Sequence, residues 1–377
     1  MNIKRVLAKN YANFRGWSSK KKYIVIESDD WGSIRMPSKE VYDFLLKKGV
    51  GVDKSYFTKY DCLESNDDVE LLFDVLAAQK DNLGNYPVIT AMTIMANPDF
   101  EKIIASSKKE YHYELLTDTY KKYPNHSKVM SLWKGTGIKE NLLWPQFHGR
   151  EHMNVKKWIR AINAGNENEN LAFDNKVILG LRKDRLSLTR GRFDYMAGFE
   201  YEDDEHIKEI EEITIEGLNI FEDKFGFRSK SFAASSSIRG EHLDKVLSEN
   251  GVLYHQLGQQ FIPQLDGSVK RINRFWGDMN EFGQSYWRRN AMFEPSRSPD
   301  DDWVNKCLKD IEVAFRWGTP AVINSHRVNF SSGISTANRD NTLKLLSTLL
   351  KKVLLKWPDV EFINSQQLGD VISGNRI

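Results

Sequence analysis

Only two cysteines, Cys62 and Cys307, occur in 377 residues. That excludes a disulfide framework, a zinc ribbon and a redox pair, which need more thiols or closer ones. No apolar run approaches the roughly 20 residues a spanning helix requires, so no membrane span is expected. Charge of one sign is missing too: 54 Lys and Arg against 52 Asp and Glu leave a net charge of +2. Without a global field, nucleic acid is not an expected partner. The opening Met-Asn-Ile-Lys-Arg-Val-Leu-Ala-Lys-Asn has neither an apolar h-region nor a small-residue cleavage site. A cytoplasmic location is the expectation on that ground.

What is present is the composition of a globular protein, 40% hydrophobic and 28% charged. Aromatic residues reach 12%, with ten Trp, which serves a core of large side chains or a wall that stacks on sugar rings. Short β-branched and aromatic runs predict strands at 23–26, 88–95, 143–147, 230–234, 271–276, 321–324 and 360–363. Helical periodicity covers 39–48, 67–79, 155–163, 204–224, 241–249, 303–317 and 339–355. Strands alternating with helices predict an α/β fold with a parallel sheet or barrel. The polar stretches 106–142 and 164–203 read as insertions on one domain, residues 1–377, since neither carries a core of its own.

In such folds the carboxyl ends of the strands form the site. Asp29-Asp30 ends the first apolar run, in Glu27-Ser28-Asp29-Asp30-Trp31-Gly32. One carboxylate there can bind a cation while the other takes a proton; the plainer alternative is a turn pair helped by Gly32. His148 and His152, in His-Gly-Arg-Glu-His, are four apart, a spacing that puts both imidazoles on one face of a helical turn, toward one metal. The same letters fit the inverted zincin pattern H-x-x-E-H, with Glu151 as base and Glu216 or Glu222 as a further ligand. That peptidase reading leaves Asp29, Asp30 and His326 without a job. His326 follows the strand 321–324, where an imidazole can protonate a leaving amine.

Together these segments resemble the polysaccharide deacetylase family, the NodB-homology or carbohydrate esterase 4 group. Its T-F-D-D-G motif is matched loosely by residues 27–32, its H-[ST]-x-x-H motif by residues 148–152, and its late L-x-H motif by Asn324-Ser325-His326. The resemblance implies a deformed (β/α) barrel of the NodB type, with Asp29 as general base and His326 as general acid. It implies a divalent metal on Asp30, His148 and His152, for which two His and one Asp make Zn²⁺ the expected ion. The implied reaction is removal of an N-acetyl group from an amino sugar, so the expected partner is a saccharide.

The family's R-P-P-[YF]-G motif has no copy. Ser231-Phe232-Ala233-Ala234-Ser235-Ser236-Ser237 stands in its place, and the Arg that orients the base must come from elsewhere, with Arg239, Arg35 and Arg150 as candidates. A backbone amide near 235–237 is the expected oxyanion donor. Trp31, Trp276 and Phe330 are candidates for the sugar-facing wall, with Arg35 and Arg150 as further substrate-binding candidates. A degenerate, inactive saccharide binder is the non-enzyme alternative, favoured only by the missing Arg.

Overall fold

The computed structural model describes residues 3–180 and 194–374. Part of the insertion expected at 164–203 therefore lies outside the described residues. Nine strands form one parallel sheet: β1 (Lys22–Trp31), β2 (Ile89–Ile94), β5 (Leu143–Gly149), β6 (Ser231–Phe232), β7 (Tyr254–Gln256), β10 (Ser285–Trp287), β11 (Ala291–Met292), β12 (Ala321–His326) and β13 (Val360–Phe362). Two antiparallel strand pairs, β3 (Ala96–Pro98) with β4 (Tyr113–Leu115) and the hairpin of β8 (Gln259–Pro263) with β9 (Val269–Asn273), stand apart from it.

The order across the sheet is β10-β7-β6-β5-β2-β1-β12-β11, with β13 paired to the start of β1. Its two edge strands, β10 and β11, are separated in sequence by Arg288, Arg289 and Asn290 alone. Four residue steps span at most about 14 Å, so the sheet must curl until its edges almost meet. This is the deformed barrel, and its seam lies at 288–290.

Parallel strands covered on the outside by helices are apolar on both faces, and Tyr23, Ile24, Val25 and Ile26 of β1 are all buried. Leu72 and Phe73 of the helix Asn66–Ala77, Leu218 and Phe221 of Asp204–Phe225, and Leu346 and Leu350 of Thr336–Lys356 join the strands in one core. Each such side chain contributes about 1.5–3 kcal/mol. Local signals set the helix limits. Ser65 and Asp68 form a capping box, and Gly226, at φ 80°, closes the long helix in the left-handed conformation.

The strand expected at 271–276 is displaced. Its first half, residues 271–273, belongs to the β8–β9 hairpin, outside the barrel, and 274–276 lie in no named strand. The barrel strands of that region are β7 and β10, three residues each, too short to show a period. Both cysteines are buried and free. No helix among the described residues is long and apolar enough to cross a membrane.

Candidate active site

Because every strand of the sheet runs the same way, the ends of β1, β5, β6, β7, β10 and β12 share one rim. Alternation would point Asp29 and Asp30 to opposite faces. The pairing of β1 with β2 slips between Ser28 and Trp31, and Asp30 adopts φ 74°. This bulge brings both carboxylates to the rim. A non-glycine residue held in the left-handed region stores strain of the kind that gathers at functional sites.

The two histidines meet Asp30 differently from the sequence expectation. His148 is on β5 and His152 is in the loop before the helix Val155–Asn163, so the pair does not share a helical turn. The β2–β5 register slips past His148, and Gly149 turns the chain at φ 147°. A Cβ on Gly149 would lie 2.6 Å from the Glu151 carbonyl oxygen, so glycine is needed there. The result is that His152 Nε2 lies 2.9 Å and His148 Nε2 3.5 Å from Asp30 Oδ1. One ligand atom from each of Asp30, His148 and His152 falls within a 4.8 Å group.

Asp30 Oδ1 is buried yet has no aligned hydrogen-bond donor among the described residues, which suits a lone pair facing a cation. His148 donates from Nδ1 to the Ala233 carbonyl at 2.7 Å, leaving its Nε2 lone pair toward Asp30. His152 Nδ1 has no hydrogen-bond partner among the described residues. The donor set of two imidazoles and a carboxylate fits a divalent metal such as Zn²⁺.

Asp29 is gripped by a residue that the sequence reading missed. Arg289, in the seam, donates from Nη1 to Asp29 Oδ2 at 2.6 Å and from Nη2 to Oδ1 at 2.7 Å. Its Nε binds Glu27 at 2.6 Å, and the guanidinium also reaches Asn324 on β12 and Gln256 on β7. Arg289 thus ties both sides of the seam to β1. Burial works to raise the Asp29 carboxyl, but Arg289, His148 and His326 outweigh it and hold it below the usual carboxylate range. Glu27, two residues earlier and on the same face, is fully buried. It accepts from Trp287 Nε1 and Ser365 Oγ as well, at 2.9 and 2.8 Å. Burial pushes its carboxyl up, against the pull of Arg289.

His326, at the end of β12, lies with Nε2 3.9 Å from Asp29 Oδ2. Its Nδ1 is hydrogen-bonded to Glu294, a buried carboxylate that also accepts from Asn329 at 2.7 Å. Burial alone would lower this imidazole, but Glu294 first, then Asp29 and Asp30, push it up to about 9. Asp29, His326, Ser236 and Ser237 line one cavity of about 490 Å³. Ser236 and Ser237 sit at φ 57° and 59°, a strained pair in the segment expected to supply the oxyanion donor.

Several expected residues are placed elsewhere. Trp31 is 1% exposed, bonded from Nε1 to Ser28 and stacked on Phe330, itself 1% exposed. Trp276 is buried among Tyr254, Trp287 and Ile363. None of the three faces the cavity; each fills core space. Arg150 is committed to Glu151 and Glu216. Arg239 is committed to Asp244. Arg35 is buried, with Nε 3.1 Å from Asp61 and Nη2 3.6 Å from Asp30, so it sits beside Asp30 and not Asp29. Both Glu151 oxygens accept from Arg150 Nε, at 2.7 and 2.9 Å. Glu216 meets Tyr113 and Arg150, and Glu222 meets Arg228. The inverted zincin arrangement is therefore not assembled.

No family model and no curated protein matches this chain. Among solved structures it is similar to a Mycobacterium smegmatis protein classed as a polysaccharide deacetylase, at 11% identity over 96% of this chain and 94% of that one, TM-score 0.43. It is also similar to Puue allantoinase, at 10% identity over 94% and 91%, TM-score 0.43. A Parabacteroides distasonis protein classed as a glycoside hydrolase or deacetylase gives 8% identity over 95% and 72%, TM-score 0.47.

Proposed function

We propose that this protein is a metal-dependent hydrolase that removes an N-acetyl group from an amino sugar. The observation that carries the reading is the convergence of three groups on one rim: the Asp30–His148–His152 cluster, the Asp29–Arg289 pair and the His326–Glu294 pair. Asp30, His148 and His152 would hold the divalent ion, with Zn²⁺ the proposed metal; such an ion polarises a carbonyl and acidifies water. Asp29, kept ionised and oriented by Arg289, takes the proton of the attacking water. His326, kept protonated by Glu294, gives a proton to the departing amine. Amides of the Ser235–Ser237 segment are the proposed donors to the oxyanion.

The chain is proposed to act as a single domain, with 106–142 and 164–203 as additions to the barrel, on a saccharide partner in the cytoplasm. The test is acetate release from N-acetylhexosamine oligomers and N-acetylated sugar nucleotides. Acetate that disappears with chelator and returns with Zn²⁺ supports the reading. Cleavage of peptides with acetylated sugars untouched would overturn it, and binding without acetate would make the protein a saccharide binder.

A further inference from the structure

The cavity that contains Asp29 and His326 is lined by three further cations, and two are already neutralised. Lys9 is paired with Asp310, and Arg289 with Asp29 and Glu27. Arg288 is different. Among the described residues no carboxylate lies within ion-pair distance of it.

Its side chain is nonetheless held in a fixed pose. Nη1 donates to the Arg274 carbonyl at 3.0 Å, and the guanidinium lies 5.7 Å from the centre of the Phe275 ring. Gly258 makes room for it: a Cβ there would come within 2.9 Å of both Cγ and Nε of Arg288. A guanidinium carries five N–H donors, and this pose leaves several of them open. Partial burial works against the charge and lowers its pKa, only partly opposed by Tyr11 and Asp278 at longer range, a cost that an anionic ligand would offset. The hydroxyls of Ser236 and Ser237, on the same cavity wall, have no hydrogen-bond partner among the described residues.

We propose that the substrate carries a phosphate or carboxylate group that docks on Arg288, with the Ser236 and Ser237 hydroxyls as neighbouring donors. A planar fork of donors matches either oxyanion. The inference rests on the reading of this cavity as the deacetylation site, and it narrows the substrate to an anionic N-acetylated sugar.

The test compares N-acetylglucosamine, its 1-phosphate and the corresponding uronic acid as substrates of the metal-loaded protein. Arg288→Gln should lower kcat/KM for one anionic sugar about 10- to 100-fold more than for the neutral one, the loss expected for a charge-assisted hydrogen bond. The effect should fall mainly on KM, and Arg288→Lys should recover part of it. Which of the two anionic sugars responds separates phosphate from carboxylate. In parallel, calorimetric titration with the 1-phosphate and the uronic acid reads binding without turnover. Arg288-dependent binding of an anionic sugar with no acetate from any substrate would keep the docking site and remove the deacetylase reading. Acetate release with equal losses on neutral and anionic sugars, or no preference for either anion in wild type, would overturn the docking proposal alone.

Discussion

Arg289 holds Asp29 through two parallel hydrogen bonds of 2.6 and 2.7 Å, although the residues are 260 positions apart. The contact exists because the sheet curls until the connection between its edge strands lies against β1. The same guanidinium is the counter-charge of Glu27, so Asp29, the proposed base, and a second buried carboxylate share one cation.

Removing that cation should therefore cost both stability and rate. Arg289→Gln leaves two buried carboxylates without the guanidinium they share, and urea denaturation should show a loss of about 3–5 kcal/mol. Adding Glu27→Gln removes one of the stranded charges and should recover part of that loss. A purely additive double variant would mean that the shared cation is not the link.

The same substitution has a signature in the pH profile. Arg289 depresses the Asp29 carboxyl, and the proposed mechanism needs Asp29 ionised to act as the base. Without Arg289 the carboxyl titrates higher, so the acid limb of kcat/KM should move to higher pH. An unmoved acid limb would separate Arg289 from the base.

In the proposed mechanism the basic limb belongs to His326. A group raised to about 9 is protonated, and able to act as an acid, at all lower pH values; the rate should fall as pH passes about 9. Glu294→Gln removes the largest raising influence, so the limb should move down toward the ordinary imidazole value near 6.5. Kinetics across pH 5–10 with the metal content checked at each end measure it.

Trp31 and Phe330 should behave as core residues. Replacing either with Ala is expected to destabilise the fold by about 3–5 kcal/mol, read from denaturation. A raised KM with unchanged stability would return them to the substrate wall.

Much of this arrangement was legible in the sequence because it is local. The helix 155–163 has the predicted ends, and most longer strands were found because their apolar runs are continuous. Asp30, His148 and His152 come together as the motifs suggested, but through a bulge and a strand-end turn instead of a helix, since Gly149 stops β5 between them. Trp31 was misplaced because adjacency to a motif does not give direction: past the bulge at Asp30 the indole turns into the core, bonded to Ser28 and stacked on Phe330. Arg289 and Glu294 could not be read at all. They follow strands of three and two residues, and their partners are set by how the sheet closes. The one available signal was chemical: Glu27, directly after the apolar run 23–26 and fully buried, needed a buried cation.

The division of labour between two neighbouring carboxylates is the centre of the account, and metal content and acetate release measured on the same preparations test it most directly. Asp30→Ala should lose both the metal and the activity. Asp29→Asn should retain the metal while acetate release falls by a factor on the order of 10²–10⁴, the usual worth of a general base. Equal metal loss in the two variants, or an Asp29→Asn protein as fast as wild type, would contradict it.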